Sequence, residues 1–139
     1  MTPTIEDAVI LAARAHRGQR DKAGEPYILH ALRVMLSLHD PAERMVAVLH
    51  DLLEDTGVSP ATLREAGYGE DLIASLETLT RRPDESYEDF IERIAGNPIA
   101  RRVKLADLAD NMDMSRLASP GEADRRRIAR YEAARARLG

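Results

Sequence analysis

Two pairs of ionisable residues lie inside an otherwise apolar stretch near the middle of the chain. His50 and Asp51 form the first pair, Glu54 and Asp55 form the second, and the residues around them are mostly valine and leucine. Residues four apart share a face of a helix, so Glu54 lies one turn beyond His50 and Asp55 lies one turn beyond Asp51. Burial of unpaired charges in such an apolar helix is costly. The pattern favours a metal held by His50 and Asp51 with Glu54 and Asp55 acting beside it, and the alternative is a charged helix face.

Two other segments offer matching ligand types. His16 falls in the last turn of the first predicted helix, where it is either a ligand or a residue that meets the helix dipole. Asp107 lies in a mostly apolar segment, with Asn111 one turn further on. Two imidazoles and two carboxylates suit manganese, iron, zinc or magnesium. Such a site activates a bound water and polarises a phosphoryl oxygen, and Glu54 and Asp55 are spaced to position or deprotonate that water.

Helix-start signals recur along the chain and set the predicted fold. Thr4 with Asp7, and Ser86 with Asp89, have the spacing of capping boxes. Proline follows a possible capping residue at four sites, namely Asp40-Pro41, Ser59-Pro60, Asn97-Pro98 and Ser119-Pro120. A further helix is predicted to begin at Glu25-Pro26, and the helix from Asp40 is predicted to continue through Asp55. Because no alternating strand pattern is present, the sequence predicts an all-α fold of about eight helices in a single domain over residues 1–139, with an arginine-rich helix from about residue 120.

Composition and charge narrow the class of protein. The chain has 139 residues, no cysteine and a formal net charge of −4. This balance gives no indication of nucleic acid or membrane as a partner, and the absence of cysteine fits a cytoplasmic location. The N-terminal segment does not have the pattern of a signal peptide. The arginine-rich C-terminal segment is expected to be a solvated helix face, because acidic residues dilute its charge. The sequence leaves the oligomeric state open.

Three local sequences resemble a known family. AARAHRGQRDKAGEPYILH, LHDLLEDT and VKLADLADNM are similar to the alarmone-hydrolase domain of the RelA/SpoT family, which belongs to the HD-domain metal-dependent phosphohydrolases and includes small stand-alone SpoT homologues. The resemblance implies a helical HD-domain fold. It also implies an enzyme that removes the 3′-pyrophosphate from guanosine tetra- or pentaphosphate, (p)ppGpp, to give GDP or GTP. The resemblance is confined to the hydrolase domain, and no counterpart of the synthetase domain of the long family members is expected within residues 1–139.

The resemblance also implies roles for particular residues. It implies a manganese ion held by His16, His50, Asp51 and Asp107, and an attacking water prepared by Glu54 and Asp55. The residues that it implies for contact with a small-molecule nucleotide are Lys22, Tyr27, His30 and Asn111.

Two alternatives to guanosine alarmone hydrolysis remain open. The chain departs from the family pattern at several positions, among them Asp21, Ala31, Asp110 and Met114. These departures motivate a phosphohydrolase that acts on another nucleotide, such as an adenine alarmone, a nucleoside monophosphate or NADPH. A non-catalytic alarmone-binding module is the second alternative, and the presence of both Glu54 and Asp55 argues against it.

Overall fold

The protein is built from helices that surround one apolar core. A computed structural model describes residues 2–139. Its helices are α1 (Ile5–Ala15), α2 (Ile28–Leu36), α3 (Pro41–Leu49), α4 (Leu52–Asp55), α5 (Pro60–Glu65), α6 (Glu70–Thr78), α7 (Tyr87–Ala95), α8 (Pro98–Asn111) and α9 (Glu122–Leu138), and a short 3₁₀ helix spans Met114–Arg116. Within residues 2–139 no strand is present, and an isolated bridge between Arg20 and Pro26 is the only β-type pairing. The all-α prediction is confirmed.

Most helices begin where the capping signals predict. Thr4 and Asp7 form a reciprocal capping box at the start of α1. The Asp40 carboxylate accepts from the Glu43 amide at 3.1 Å and so caps α3. Side chains of the same kind cap three further helices, with Ser59 at α5, Ser86 at α7 and Asn97 at α8. Each cap satisfies a backbone N–H that the first helical turn leaves without a partner.

Two predicted helix starts are displaced. The helix predicted from Pro26 begins at Ile28, because the preceding segment folds back on itself and the Tyr27 amide donates to the Gln19 carbonyl at 2.9 Å. The carboxylate of Asp21 closes this turn by accepting from the Ala23 and Glu25 amides at 2.9 and 3.0 Å. The last helix begins at Glu122 rather than after Ser119.

The helix that carries the central motif is interrupted, in contrast to the continuous helix predicted. α3 ends at Leu49 and α4 begins at Leu52, so His50 and Asp51 lie in a turn between them. The Ala47 carbonyl accepts from the His50 ring Nδ1 at 2.5 Å and from the His50 amide at 3.3 Å. In an uninterrupted helix this carbonyl would accept from the amide four residues on. The imidazole therefore occupies an acceptor that the helical ladder would otherwise use.

α3 lies at the centre of the core. Val46, Ala47, Val48 and Leu49 are each at most 1% exposed, and α3 packs against α1, α2, α6 and α8. Because α3 packs on both α1 and α8, the turn that follows it lies among the other segments that carry the predicted ligands. No helix among residues 2–139 has the length and apolar character needed to cross a membrane.

Candidate metal centre and adjoining cavity

Four side chains from three segments converge at the turn that follows α3. His30 comes from α2, His50 and Asp51 come from the turn after α3, and Asp107 comes from α8. One possible ligand atom from each side chain lies within 4.8 Å of those of the other three. His30, His50 and Asp107 are buried, and Asp51 is partly buried. Two imidazoles and two carboxylates in one buried cluster fit a divalent transition metal.

Asp107 is the hub of this cluster. Its Oδ1 accepts from the Nε2 atoms of His30 and His50 at 2.9 and 3.1 Å and from the Asn111 amide at 3.1 Å. Its Oδ2 accepts from the Lys104 ammonium at 2.9 Å. The charged Asp107 side chain is therefore fully paired, as a buried carboxylate must be to avoid a large desolvation cost.

The turn between α3 and α4 directs both of its side chains into the cluster. His50 uses Nδ1 on the Ala47 carbonyl, which leaves Nε2 to face Asp51 and Asp107 at 3.0 and 3.1 Å. The Asp51 Oδ2 atom also accepts from the Tyr27 hydroxyl at 2.5 Å. Outer partners of this kind fix the orientation of metal-ligating side chains.

The electrostatics of the cluster show tightly coupled opposite charges. Burial alone would lower the pKa of His50, but the neighbouring Asp51 and Asp107 carboxylates raise it well above the ordinary value. Burial would raise the pKa of Asp107, but Lys104 and the two histidines hold it well below the ordinary value. The cluster thus keeps its carboxylates ionised, which is the form that binds a cation.

His16 is not a member of this cluster, but its ring centroid lies 5.0 Å from that of Tyr27, which hydrogen-bonds Asp51. The structure brings together three of the four predicted ligands, His50, Asp51 and Asp107, and adds His30. The His16 Nδ1 atom lies 2.8 Å from the Gln19 side-chain carbonyl, and its buried Nε2 has no hydrogen-bond partner among residues 2–139. A buried imidazole nitrogen left with a free lone pair fits a metal ligand. The assignment of His16 as a ligand stays a prediction.

Glu54 and Asp55 lie one turn beyond Asp51, at the exposed edge of the cluster. Burial and the charge of Asp51 raise the pKa of both carboxyl groups. The Gln19 amide donates to Asp55 at 3.5 Å, so one side chain contacts both Asp55 and His16. Partly desolvated carboxylates beside a cation site are suited to proton transfer.

A cavity of about 390 Å³ adjoins the cluster. All four residues predicted to contact a nucleotide line it, namely Lys22, Tyr27, His30 and Asn111. His30 is itself a member of the cluster, and two others touch it, because Asn111 hydrogen-bonds Asp107 and Tyr27 hydrogen-bonds Asp51. Their contact with a nucleotide stays a prediction, but their shared location is consistent with it.

The cavity wall also contains residues that motif reasoning did not single out as site residues. Arg33 and Arg116 both contact Asp110, and Arg127 and Tyr131 of α9 also line the cavity. Helical spacing could have identified some of these residues. Arg33 follows His30 by one turn on α2, and Tyr131 follows Arg127 by one turn on α9. The meeting of α2 with Asp110 joins residues 77 apart in sequence, which spacing does not encode.

Comparison with known proteins agrees with this geometry. Residues 8–132 match the family model described as HD domain. The bifunctional (p)ppGpp synthase/hydrolase SpoT of Escherichia coli K12 is 33% identical over 141 residues, covering 91% of this chain and 20% of that protein. The guanosine-3′,5′-bis(diphosphate) 3′-pyrophosphohydrolase of Aquifex aeolicus is 33% identical over 120 residues, covering 78% of this chain and 17% of that protein.

A solved structure matches the fold closely. It belongs to a metazoan orthologue of SpoT described as hydrolysing ppGpp, with a TM-score of 0.81, 24% identity, and coverage of 99% of this chain and 88% of that chain. The chain spans about a fifth or less of the length of the curated relatives it matches. The family match and the helical architecture together show that the chain belongs to the HD domain family, with relatives among the (p)ppGpp hydrolases.

Proposed function

We propose that this protein is a metal-dependent phosphohydrolase that removes the 3′-pyrophosphate from (p)ppGpp and leaves GDP or GTP. The observation that carries the proposal is the buried cluster of His30, His50, Asp51 and Asp107 beside a cavity with five arginine or lysine residues and three aspartates in its lining. The activities for which these relatives are named support the choice of nucleotide. A cationic cavity suits a substrate with several phosphate groups.

The proposed metal ligands are His16, His50, Asp51 and Asp107, with manganese as the proposed ion. The unpartnered Nε2 of His16 and the inward-facing Nε2 of His50 support the two imidazole assignments. An ion bound there would lower the pKa of a bound water and polarise a phosphoryl oxygen. In this proposal His30 holds the Asp107 carboxylate in place through its 2.9 Å hydrogen bond and faces the substrate from the cavity wall.

Glu54 and Asp55 are proposed to orient and deprotonate the attacking water. Both carboxylates lie one turn beyond Asp51 at the exposed edge of the cluster, where they can reach a water beside the proposed ion. Glu54 is the proposed base. Asp55 is the proposed orienting partner, since its contact with Gln19 restrains its position.

Lys22, Tyr27, His30 and Asn111 are proposed to bind the nucleotide, and all four line the cavity. A small-molecule nucleotide is the proposed partner, with no role for nucleic acid or membrane. The proposed location is the cytoplasm, which agrees with a cysteine-free chain and a nucleotide substrate.

The test is product chromatography after incubation with guanosine tetraphosphate and manganese. GDP and pyrophosphate should form, and a chelator should abolish both. GTP, which has no 3′-pyrophosphate, serves as the control substrate and should remain intact. If manganese binds but guanosine tetraphosphate is unchanged, the proposed substrate is wrong. The same assay on an adenine alarmone and NADPH then distinguishes the alternative nucleotides.

A further inference from the structure

Asp110 anchors three basic side chains in the wall of the cavity. Its carboxylate accepts from the His30 Nδ1 at 2.7 Å and from two nitrogens of Arg33 at 2.8 and 3.1 Å. The Arg116 guanidinium reaches the Asp110 backbone carbonyl at 3.0 Å and its carboxylate at 3.5 Å. The Asp110 side chain is 12% exposed, so this junction is mostly shielded from water.

The two arginines remain partly open to the cavity. Their side chains are 32% and 29% exposed, and both line the cavity with Asp110. Arg33 presents one edge of its guanidinium to Asp110. Arg116 divides its contacts between Asp110 and Asp113. The remaining N–H groups of Arg33 make no hydrogen bond within residues 2–139. A planar guanidinium held along one edge offers its other N–H groups to a phosphate.

The position of Arg33 and Arg116 relative to the metal ligands limits which phosphate group of a substrate they can contact. The His30 ring lies between Asp110 and Asp107, with Nδ1 on the first and Nε2 on the second. The phosphorus that undergoes attack must lie at the metal ligands, on the Asp107 side of this ring. The arginines contact Asp110 on the other side. Any phosphate that they hold is therefore a different one from the scissile phosphate.

We propose that Arg33 and Arg116, positioned by Asp110, form a second phosphate-binding subsite that recognises a non-scissile phosphate of the substrate. The inference rests on the proposed function. It adds that the substrate must have a further anionic group at a distance from the attacked phosphorus. That group is either the 5′-diphosphate of the nucleotide or the terminal phosphate of the leaving pyrophosphate.

Calorimetric binding of two probes to the manganese-loaded protein separates these sources. GDP has only the 5′-diphosphate, and inorganic pyrophosphate represents the leaving group. Arg33→Gln and Arg116→Gln should each weaken binding of one probe about tenfold or more, the loss expected for a charge-assisted hydrogen bond. A loss confined to GDP assigns the subsite to the 5′-diphosphate, and a loss confined to pyrophosphate assigns it to the leaving group. Wild-type affinity for both probes in both variants overturns the proposal, as does failure of the wild type to bind either.

Asp110→Asn tests the positioning role of Asp110. The amide keeps the shape of the side chain but removes the charge that orients both arginines, so binding of the affected probe should weaken even though both guanidiniums remain. Arg126→Gln is the matched control, because Arg126 lies on α9 with a 75% exposed side chain and is absent from the cavity lining. If Asp110→Asn fails to fold, the two arginine variants can still be compared with Arg126→Gln, provided that all three have equal melting temperatures.

Kinetics then distinguish failure of the subsite from failure of the proposed reaction. With guanosine tetraphosphate as the substrate, Arg33→Gln and Arg116→Gln should each have a higher KM, and hence a lower kcat/KM, than the wild type. Hydrolysis of bis-p-nitrophenyl phosphate, which has no second phosphate, should be unaffected by them. If guanosine tetraphosphate is not hydrolysed but probe binding depends on the arginines, the proposed substrate is wrong and the subsite stands. If hydrolysis occurs and neither variant changes binding or KM, the reaction stands and the subsite is wrong.

Discussion

Glu54 combines accessibility with a perturbed protonation equilibrium. Its carboxylate lies at the exposed edge of the cluster, and burial together with Asp51 raises its pKa. We expect Glu54→Gln to lower kcat by about 10²–10⁴-fold, the usual contribution of a general base. The affinities for manganese and nucleotide should remain close to wild type, because the amide keeps the shape of the side chain. Steady-state hydrolysis and calorimetric binding measure the two effects.

Glu65→Gln is the matched control for this variant. Glu65 is an exposed acid at the end of α5, and we expect its replacement to leave turnover unchanged. Full turnover of guanosine tetraphosphate by Glu54→Gln would contradict the role of Glu54 as the base. It would move that role to Asp55.

Only some residues of the cluster could be predicted from the sequence. His50, Asp51 and Asp107 could be predicted because ionisable residues in apolar helical stretches are unusual and need partners. The contact of His30 with Asp107 could not, because it joins residues 77 apart in sequence and depends on how α2 packs against α8. The unpartnered nitrogen of His16 is likewise visible only once burial is known.

The N-terminal cap of α3 has a measurable share in stability. The Asp40 carboxylate accepts from the Glu43 amide at 3.1 Å, and the helix it caps lies at the centre of the core. Asp40→Ala should lower the free energy of unfolding by about 1 kcal/mol, the typical cost of losing an aspartate cap. Urea denaturation followed by circular dichroism gives this value. Asp84→Ala, in the exposed loop before α7, should cost much less, and equal losses in both variants would refute a special role for the cap.

The loop between α6 and α7 depends on one ion pair. Arg93 donates to the Glu85 carboxylate at 2.7 and 2.9 Å and to the Thr78 and Thr80 carbonyls at 3.1 and 3.0 Å. The hydrogen bonds from Arg93 lower the pKa of Glu85 from its ordinary 4.5 to about 2. A carboxyl group whose pKa is lowered by folding stabilises the fold above its unfolded pKa, and the effect is lost as pH falls through the folded pKa.

Glu85→Gln should therefore lower the melting temperature at pH 7. The difference from wild type should begin to shrink below about pH 4.5 and should disappear near pH 2. Thermal melts of both proteins across this range provide the test. A difference that persists unchanged at the lowest pH would show that the variant acts through packing and not through charge.

Helix boundaries show where local signals were sufficient and where they were not. Thr4, Asp40 and Asn97 cap the predicted helices because their side chains act within one turn of themselves. Pro26 was wrong as a helix start, since the fold-back of the preceding segment onto Gln19 is stabilised by backbone hydrogen bonds that capping rules do not consider. The interruption at His50 escaped prediction because it depends on a ring nitrogen taking a backbone acceptor.

The candidate metal centre joins helices that are distant along the chain. His30 lies on α2, His50 follows α3, and Asp107 lies on α8. His50→Ala should reduce bound manganese from about one ion per chain to a small fraction. We expect manganese to raise the melting temperature of the wild-type protein, and His50→Ala should not show this rise. Metal analysis of the dialysed protein and thermal melts with and without a chelator measure these effects.

His39→Ala provides the control for this loss. His39 is exposed in the loop between α2 and α3 and is absent from the cluster, so its replacement should change neither manganese content nor melting temperature. Manganese retained at full stoichiometry in His50→Ala would contradict the assignment of His50 as a ligand. Loss of manganese in both variants would point to general unfolding instead.

The turn between α3 and α4 bears on how distant members of this family can be recognised. Consecutive residues in an uninterrupted helix point about 100° apart. Here His50 and Asp51 both point into the cluster, and the His50 Nε2 atom lies 3.0 Å from the Asp51 Oδ2 atom. A His-Asp dipeptide inside an unbroken helix would scatter its side chains to different surfaces. In searches for further homologues, a His-Asp dipeptide is a stronger indication of the family when a helix is predicted to end at the dipeptide. Such a predicted helix break should separate true members from chance matches.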